Sequence, residues 1–70
     1  MYMSIFKERL RELRLEKGLS QRQLAESLEM KHANISRWES GLQDPTSVNI
    51  IKIARFFGVT TDYLLGEQDC

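Results

Sequence analysis

The 70-residue sequence holds one cysteine (Cys70), one histidine (His32) and one proline (Pro45). One thiol excludes an internal disulfide framework, and one Cys with one His excludes a tetrahedral Cys/His metal centre. Cys70 itself reads as a thiol on a frayed terminus. No apolar run approaches the roughly 18 residues that a membrane helix needs. The N-terminal stretch lacks a signal peptide's apolar core, because Phe6 is followed at once by Lys7, Glu8 and Arg9. The lone thiol and the absent signal point to the cytoplasm. There is no Gly-rich phosphate loop, no Cys/His nucleophilic pair and no core large enough for a cofactor pocket, so neither catalysis nor a cofactor is expected. Excess charge of one sign is also missing. Ten basic and ten acidic side chains cancel, whereas a nucleic-acid binder is ordinarily strongly basic.

What is present is a 41% hydrophobic chain, ordinary for a folded protein. Its length makes one domain over residues 1–70, with a core expected over about 4–66. A domain this small buries only about 60% of the surface that its unfolded chain exposes. The charges are not evenly spread. Residues 17–37 carry Lys17, Arg22, Lys31 and Arg37 against Glu26 and Glu29, and residues 38–70 carry two bases against five acids. A basic middle permits a local anion-binding face.

The periodicity is helical throughout. A first helix is expected from about Ser4, a possible N-cap, to Lys17, with Phe6, Leu10 and Leu13 inward and Gly18 as terminator. Glu8, Glu12 and Glu16 then form one solvated face. Ser20 and Gln23 make a capping box, with Leu19 and Leu24 placed for a hydrophobic staple. That second helix carries Leu24, Ala25 and Leu28 inward and stops near Leu28, where the phase of the apolar stripe changes. A third helix over about 32–40 turns Ile35 and Trp38 inward and leaves His32, Ala33, Asn34, Ser36 and Arg37 outside. After Pro45, Thr46 caps a fourth helix with Ile50, Ile53, Ala54 and Phe57 inward. Thr60 caps a short fifth that holds Leu64 and Leu65. The fold class is all-α, with five helices. The tight joint between helices two and three, and the small Ala25 on the inward stripe, predict a helix-turn-helix over about 20–40.

Gly18-Leu19-Ser20-Gln21-Arg22-Gln23-Leu24-Ala25-Glu26-Ser27-Leu28, followed by Ile35-Ser36-Arg37-Trp38-Glu39-Ser40-Gly41, resembles the phage-repressor/Cro-like (XRE) helix-turn-helix family. The resemblance continues through Pro45, Ile53-Ala54, Gly58-Val59 and Asp62-Tyr63-Leu64-Leu65-Gly66, and so covers about residues 5–66. It implies a five-helix, lambda-repressor-like DNA-binding domain with the third helix in the major groove of double-stranded DNA. Base contacts would fall to His32, Ala33 and Arg37, with Lys31 at the rim. Arg37 has the fork that pairs with guanine O6 and N7, and Ala33 suits a thymine methyl. Phosphate contacts would fall to Gln21 at the start of the second helix, to Asn34 and Ser40, and to Arg22 and Lys17. The resemblance implies a homodimer that reads an approximate palindrome and regulates transcription, usually as a repressor, in a prokaryote or phage. The alternative is an antitoxin- or antirepressor-type module whose main ligand is a protein.

Arg14 and Glu39 each border an inward stripe, and in the resembled family such a pair ties helix one to helix three. Three features depart from the family. Glu29 stands where the turn usually has a left-handed Gly, at a cost of roughly 1–2 kcal/mol. Lys31 stands where Ser or Thr commonly caps the recognition helix. The loop Leu42-Gln43-Asp44 lacks the basic residues that several relatives aim at phosphate. Phe56 falls off the inward stripe. With Tyr63 and Leu64 it is a candidate dimer patch.

Overall fold

A computed structural model describes residues 2–67, so Cys70 lies outside the described residues. Five helices follow one another: α1 (Tyr2–Glu16), α2 (Gln21–Ser27), α3 (His32–Ser40), α4 (Ser47–Phe57) and α5 (Thr61–Leu65). The domain measures 27 × 24 × 20 Å. α1 begins two residues before Ser4, which therefore lies within its first turn and does not cap it.

Local chemistry fixes the helix starts. Ser20 Oγ accepts from the Gln23 N–H at 3.0 Å, and the Ser20 N–H donates to Gln23 Oε1 at 2.8 Å. This is the complete capping box. Thr46 and Thr60 cap α4 and α5 by accepting from the Asn49 and Tyr63 N–H groups. α3 has no such help, because Lys31 at its N-cap makes no side-chain capping bond.

The turn between α2 and α3 is closed by backbone alone. The Met30 N–H donates to Ala25 O at 2.9 Å and the Glu29 N–H to Glu26 O at 3.1 Å, a Schellman pair. That geometry places Glu29 at φ 57°, the left-handed region, and it is the one non-Gly residue there among those described. The departure foreseen at Glu29 is thus accommodated as strain, not by a different turn.

One core joins all five helices: Phe6 and Leu10 from α1, Leu24 and Ala25 from α2, Leu28 at its end, Ile35 and Trp38 from α3, Ile50, Ile53 and Ala54 from α4, and Leu64 from α5. The small Ala25 is buried on α2, the helix that packs on α3. α5 is held to α1 by Arg9, whose guanidinium donates to the Tyr63 carbonyl and lies 4.2 Å from the Tyr63 ring centroid.

Leu64 is 0% exposed and belongs to this core. The expectation that it forms part of a dimer patch is therefore corrected, since a side chain with no accessible surface offers nothing to a partner. Phe56 is half-buried, packed on the core and edge-to-face with Phe57 at 5.0 Å. Tyr63 is half-buried with Arg9 over one ring face.

Candidate nucleic-acid interface

α3 is anchored along one side and open along the other. Ile35 and Trp38 are buried, while Lys31, His32, Ala33, Arg37 and Ser40 are exposed and Asn34 is half-buried. The period of 3.6 residues puts Ala33, Arg37 and Ser40 on one outward strip, with His32 and Ser36 on its flank. None of Lys31, His32 or Arg37 forms an ion pair or side-chain hydrogen bond with the described residues. Ser40 Oγ donates to the Arg37 carbonyl at 3.0 Å, which helps to finish the helix.

The brace on α3 is ionic as well as apolar. Arg14 Nε donates to Glu39 Oε2 at 2.6 Å and Nη2 to Oε1 at 2.9 Å, a bidentate fork-to-carboxylate pair. Its remaining nitrogen, Nη1, donates to the Leu19 carbonyl at 2.9 Å, fixing the α1–α2 turn. The side chains are 11% and 5% exposed, so water screens the pair little. The hydrogen bond to Glu39 outweighs burial and raises the Arg14 pKa above its ordinary value. Arg14 therefore stays charged across the working pH range.

Gln21 joins this cluster. Its Nε2 donates to Glu39 Oε1 at 3.1 Å, which engages one of its two amide hydrogens inside the protein. Arg22 is exposed on the same helix. The Lys17 ammonium sits 5.3 Å from the Phe56 ring centroid, near the end of α4. The structure thus gathers Gln21, Ser40, Arg14 and Glu39 together and puts Lys17 beside the apolar residues considered for a dimer contact. It also brings in two residues that sequence periodicity did not single out. A shallow polar groove between α1, α2 and α3 is lined by Arg11, Arg14, Gln21, Ser36, Glu39 and Ser40. The usable signal was spacing: Arg11 precedes Arg14 by three residues, and Ser36 precedes Ser40 by four.

An exposed, unpaired, cationic helix edge held on a rigid two-helix frame is the geometry of helix-turn-helix proteins. The helix-turn-helix family profile matches residues 10–64, most of the chain, and the protein belongs to that family, in its XRE branch. Curated relatives agree. The chain is 44% identical over 64 residues to the HTH-type transcriptional activator BcrR of Enterococcus faecalis, covering 91% of this chain and 31% of that protein. It is 37% identical over 62 residues to the HTH-type transcriptional regulator ImmR of Bacillus subtilis (strain 168), covering 89% and 49%. The cryptic phage CTXphi transcriptional repressor RstR of Vibrio cholerae is 28% identical over 65 residues, covering 93% and 59%. The chain spans about a third to three-fifths of the length of these relatives.

Proposed function

We propose that the domain binds double-stranded DNA in a sequence-specific way and regulates transcription in the bacterial or phage-infected cytoplasm. The observation that carries this reading is the solvent-facing edge of α3, where Lys31, His32, Ala33 and Arg37 are all exposed on a helix locked by Ile35, Trp38 and the Arg14–Glu39 pair. In the major groove, Arg37 reads guanine through its paired N–H donors, His32 reads a neighbouring base edge and Ala33 packs on a thymine methyl. Gln21, Arg22, Asn34 and Ser40 hold the phosphates. Two copies place their α3 helices about 34 Å apart and read an approximate palindrome. Phe56 and Tyr63, near the end of α4 and on α5, supply surface for that pairing. Occupying an operator excludes polymerase, so repression is the default output of binding alone. No reaction is assigned to the domain.

Selection of bound duplexes from a random library tests the reading, followed by titration of the selected site and of a random duplex at low and moderate salt. Binding to both at low salt, weakening as salt rises, is expected. Arg37→Ala should lose about 1–3 kcal/mol on the selected site and relax preference at one base pair. Wild-type affinity in that variant removes Arg37 from the reading.

A second reading has its own observation. Val48 and Ile51 on α4 are 71% and 43% exposed. With Lys52 and Arg55 they line one shallow groove. Such a face suits an acidic protein surface. A chain that ignores every duplex in dilute buffer belongs to this alternative.

A further inference from the structure

We infer that Arg11 and Ser36 form a phosphate seat beside the recognition helix, in the groove floored by the Arg14–Glu39 pair. The inference rests on the DNA-binding reading above and adds two residues to it.

The charges in the groove decide what it holds. Arg14 and Glu39 neutralise each other through two short hydrogen bonds. Arg11 lines the same groove, is exposed, and makes no ion pair or hydrogen bond among the described residues. The groove therefore carries one uncompensated positive charge. Around it stand neutral donors: the hydroxyl of Ser36, half-buried and without a hydrogen bond to the described residues, and the second amide hydrogen of Gln21. One exposed cation with two neutral donors matches a singly charged, tetrahedral oxyanion. A backbone phosphate uses all three donors at once, whereas a carboxylate on the Arg11 fork would leave the Ser36 hydroxyl and the Gln21 amide without a partner.

Position decides which oxyanion. Ser36 lies on the flank of α3, one turn before Ser40 and next to the outward strip of Ala33, Arg37 and Ser40. A helix in the major groove has a phosphate ridge along each flank. The groove thus faces the ridge on the α1–α2 side, and the occupant is a backbone phosphate of the same duplex that Arg37 reads.

Duplex affinity measured against salt tests the seat, using wild type, Arg11→Gln, Arg11→Lys and Ser36→Ala on both the selected site and a random duplex. Thermal melts accompany each variant. Arg11 is exposed and unpaired, so all variants should melt with wild type. Each phosphate neutralised contributes about 0.9 to the slope of log K against log salt. Arg11→Gln should lower that slope by about 1 and weaken both duplexes by the same factor, leaving the base preference intact. Arg11→Lys should keep the slope, and Ser36→Ala should weaken both duplexes several-fold at unchanged slope. If wild type binds duplexes and Arg11→Gln keeps the wild-type slope and affinity, the seat is refuted while the DNA-binding reading stands. If Arg11→Gln alters base preference but not slope, Arg11 is not on a phosphate and the seat is again refuted. If wild type binds no duplex at any salt, both fall together.

Discussion

Replacing Arg14 by methionine removes three hydrogen bonds at once: two to Glu39 and one to the Leu19 carbonyl. Methionine keeps the helix propensity and much of the volume, so the loss is mainly that of the charge. Glu39 is then left 5% exposed with a single donor, Gln21 Nε2. Breaking one partner of a buried pair costs about 3–5 kcal/mol. A domain of this length holds roughly 4–10 kcal/mol in total, at 0.05–0.15 per residue. Each kcal/mol moves the melting midpoint by about 4–8 °C at this size. Arg14→Met should therefore melt on the order of 20 °C lower, and Glu39→Met should lose less, because the Arg14 guanidinium keeps the Leu19 carbonyl and borders the open groove. The double methionine variant buries no unpaired charge. It should be more stable than the sum of single losses predicts, with a coupling of about 2 kcal/mol. Denaturant melts of the four proteins give the cycle directly. Losses that add within about 0.5 kcal/mol show that the pair is not coupled, and the bracing argument fails.

Two further outcomes follow from the backbone. Glu29→Gly should raise stability by about 1 kcal/mol, because it relieves the left-handed φ of 57° at an exposed side chain outside the core; an unchanged or lower midpoint refutes strain at this turn. Gly66→Ala should cost more than Gly18→Ala, although both positions have positive φ. A methyl at Gly66 meets the Ile5 side chain at 2.8 Å, while one at Gly18 meets nothing within 4 Å. Equal losses, read from the same melts, attribute the cost to backbone strain alone.

The fold was legible because its helix boundaries are written in local chemistry. Ser20, Thr46 and Thr60 announce three helix starts, and the inward stripes of α2, α3 and α4 follow a 3.6-residue period. The start of α1 was not legible, since a cap signal at Ser4 competes with two further residues able to continue the helix. Leu64 was misassigned for a physical reason: on a five-residue helix, one turn does not reveal which side is inward. In the candidate site, Arg37 and His32 could be named from α3 alone. The groove could not, because Arg11 and Ser36 meet only after α1 and α3 have crossed, and a crossing is set by packing of the whole core. The placement of Lys17 was not legible for the same reason. Its distance to α3 along the chain says nothing of the Phe56 ring it lies over.

A net charge of zero is compatible with the DNA-binding role proposed for α3, because burial sorts the charges. α3 carries one acid, Glu39, and that acid is turned under the helix and neutralised by Arg14. The outer edge of α3 is left with Lys31, His32 and Arg37, while Glu8, Glu12 and Glu16 are exposed on α1 and Asp62 on α5. On the proposed reading the ion pair is an electrostatic device as well as a brace, since it neutralises the single α3 carboxylate that would repel a phosphate. This separates its two roles experimentally. Measured below the melting midpoint of every variant, Arg14→Met should bind duplex DNA more weakly than wild type, because an unpaired carboxylate now borders Gln21 and Ser36. The double methionine variant removes that carboxylate together with its partner and should regain most of the lost affinity. A double variant that binds no better than Arg14→Met, while folding as predicted, would show that Arg14 serves the interface by direct contact and not by masking Glu39.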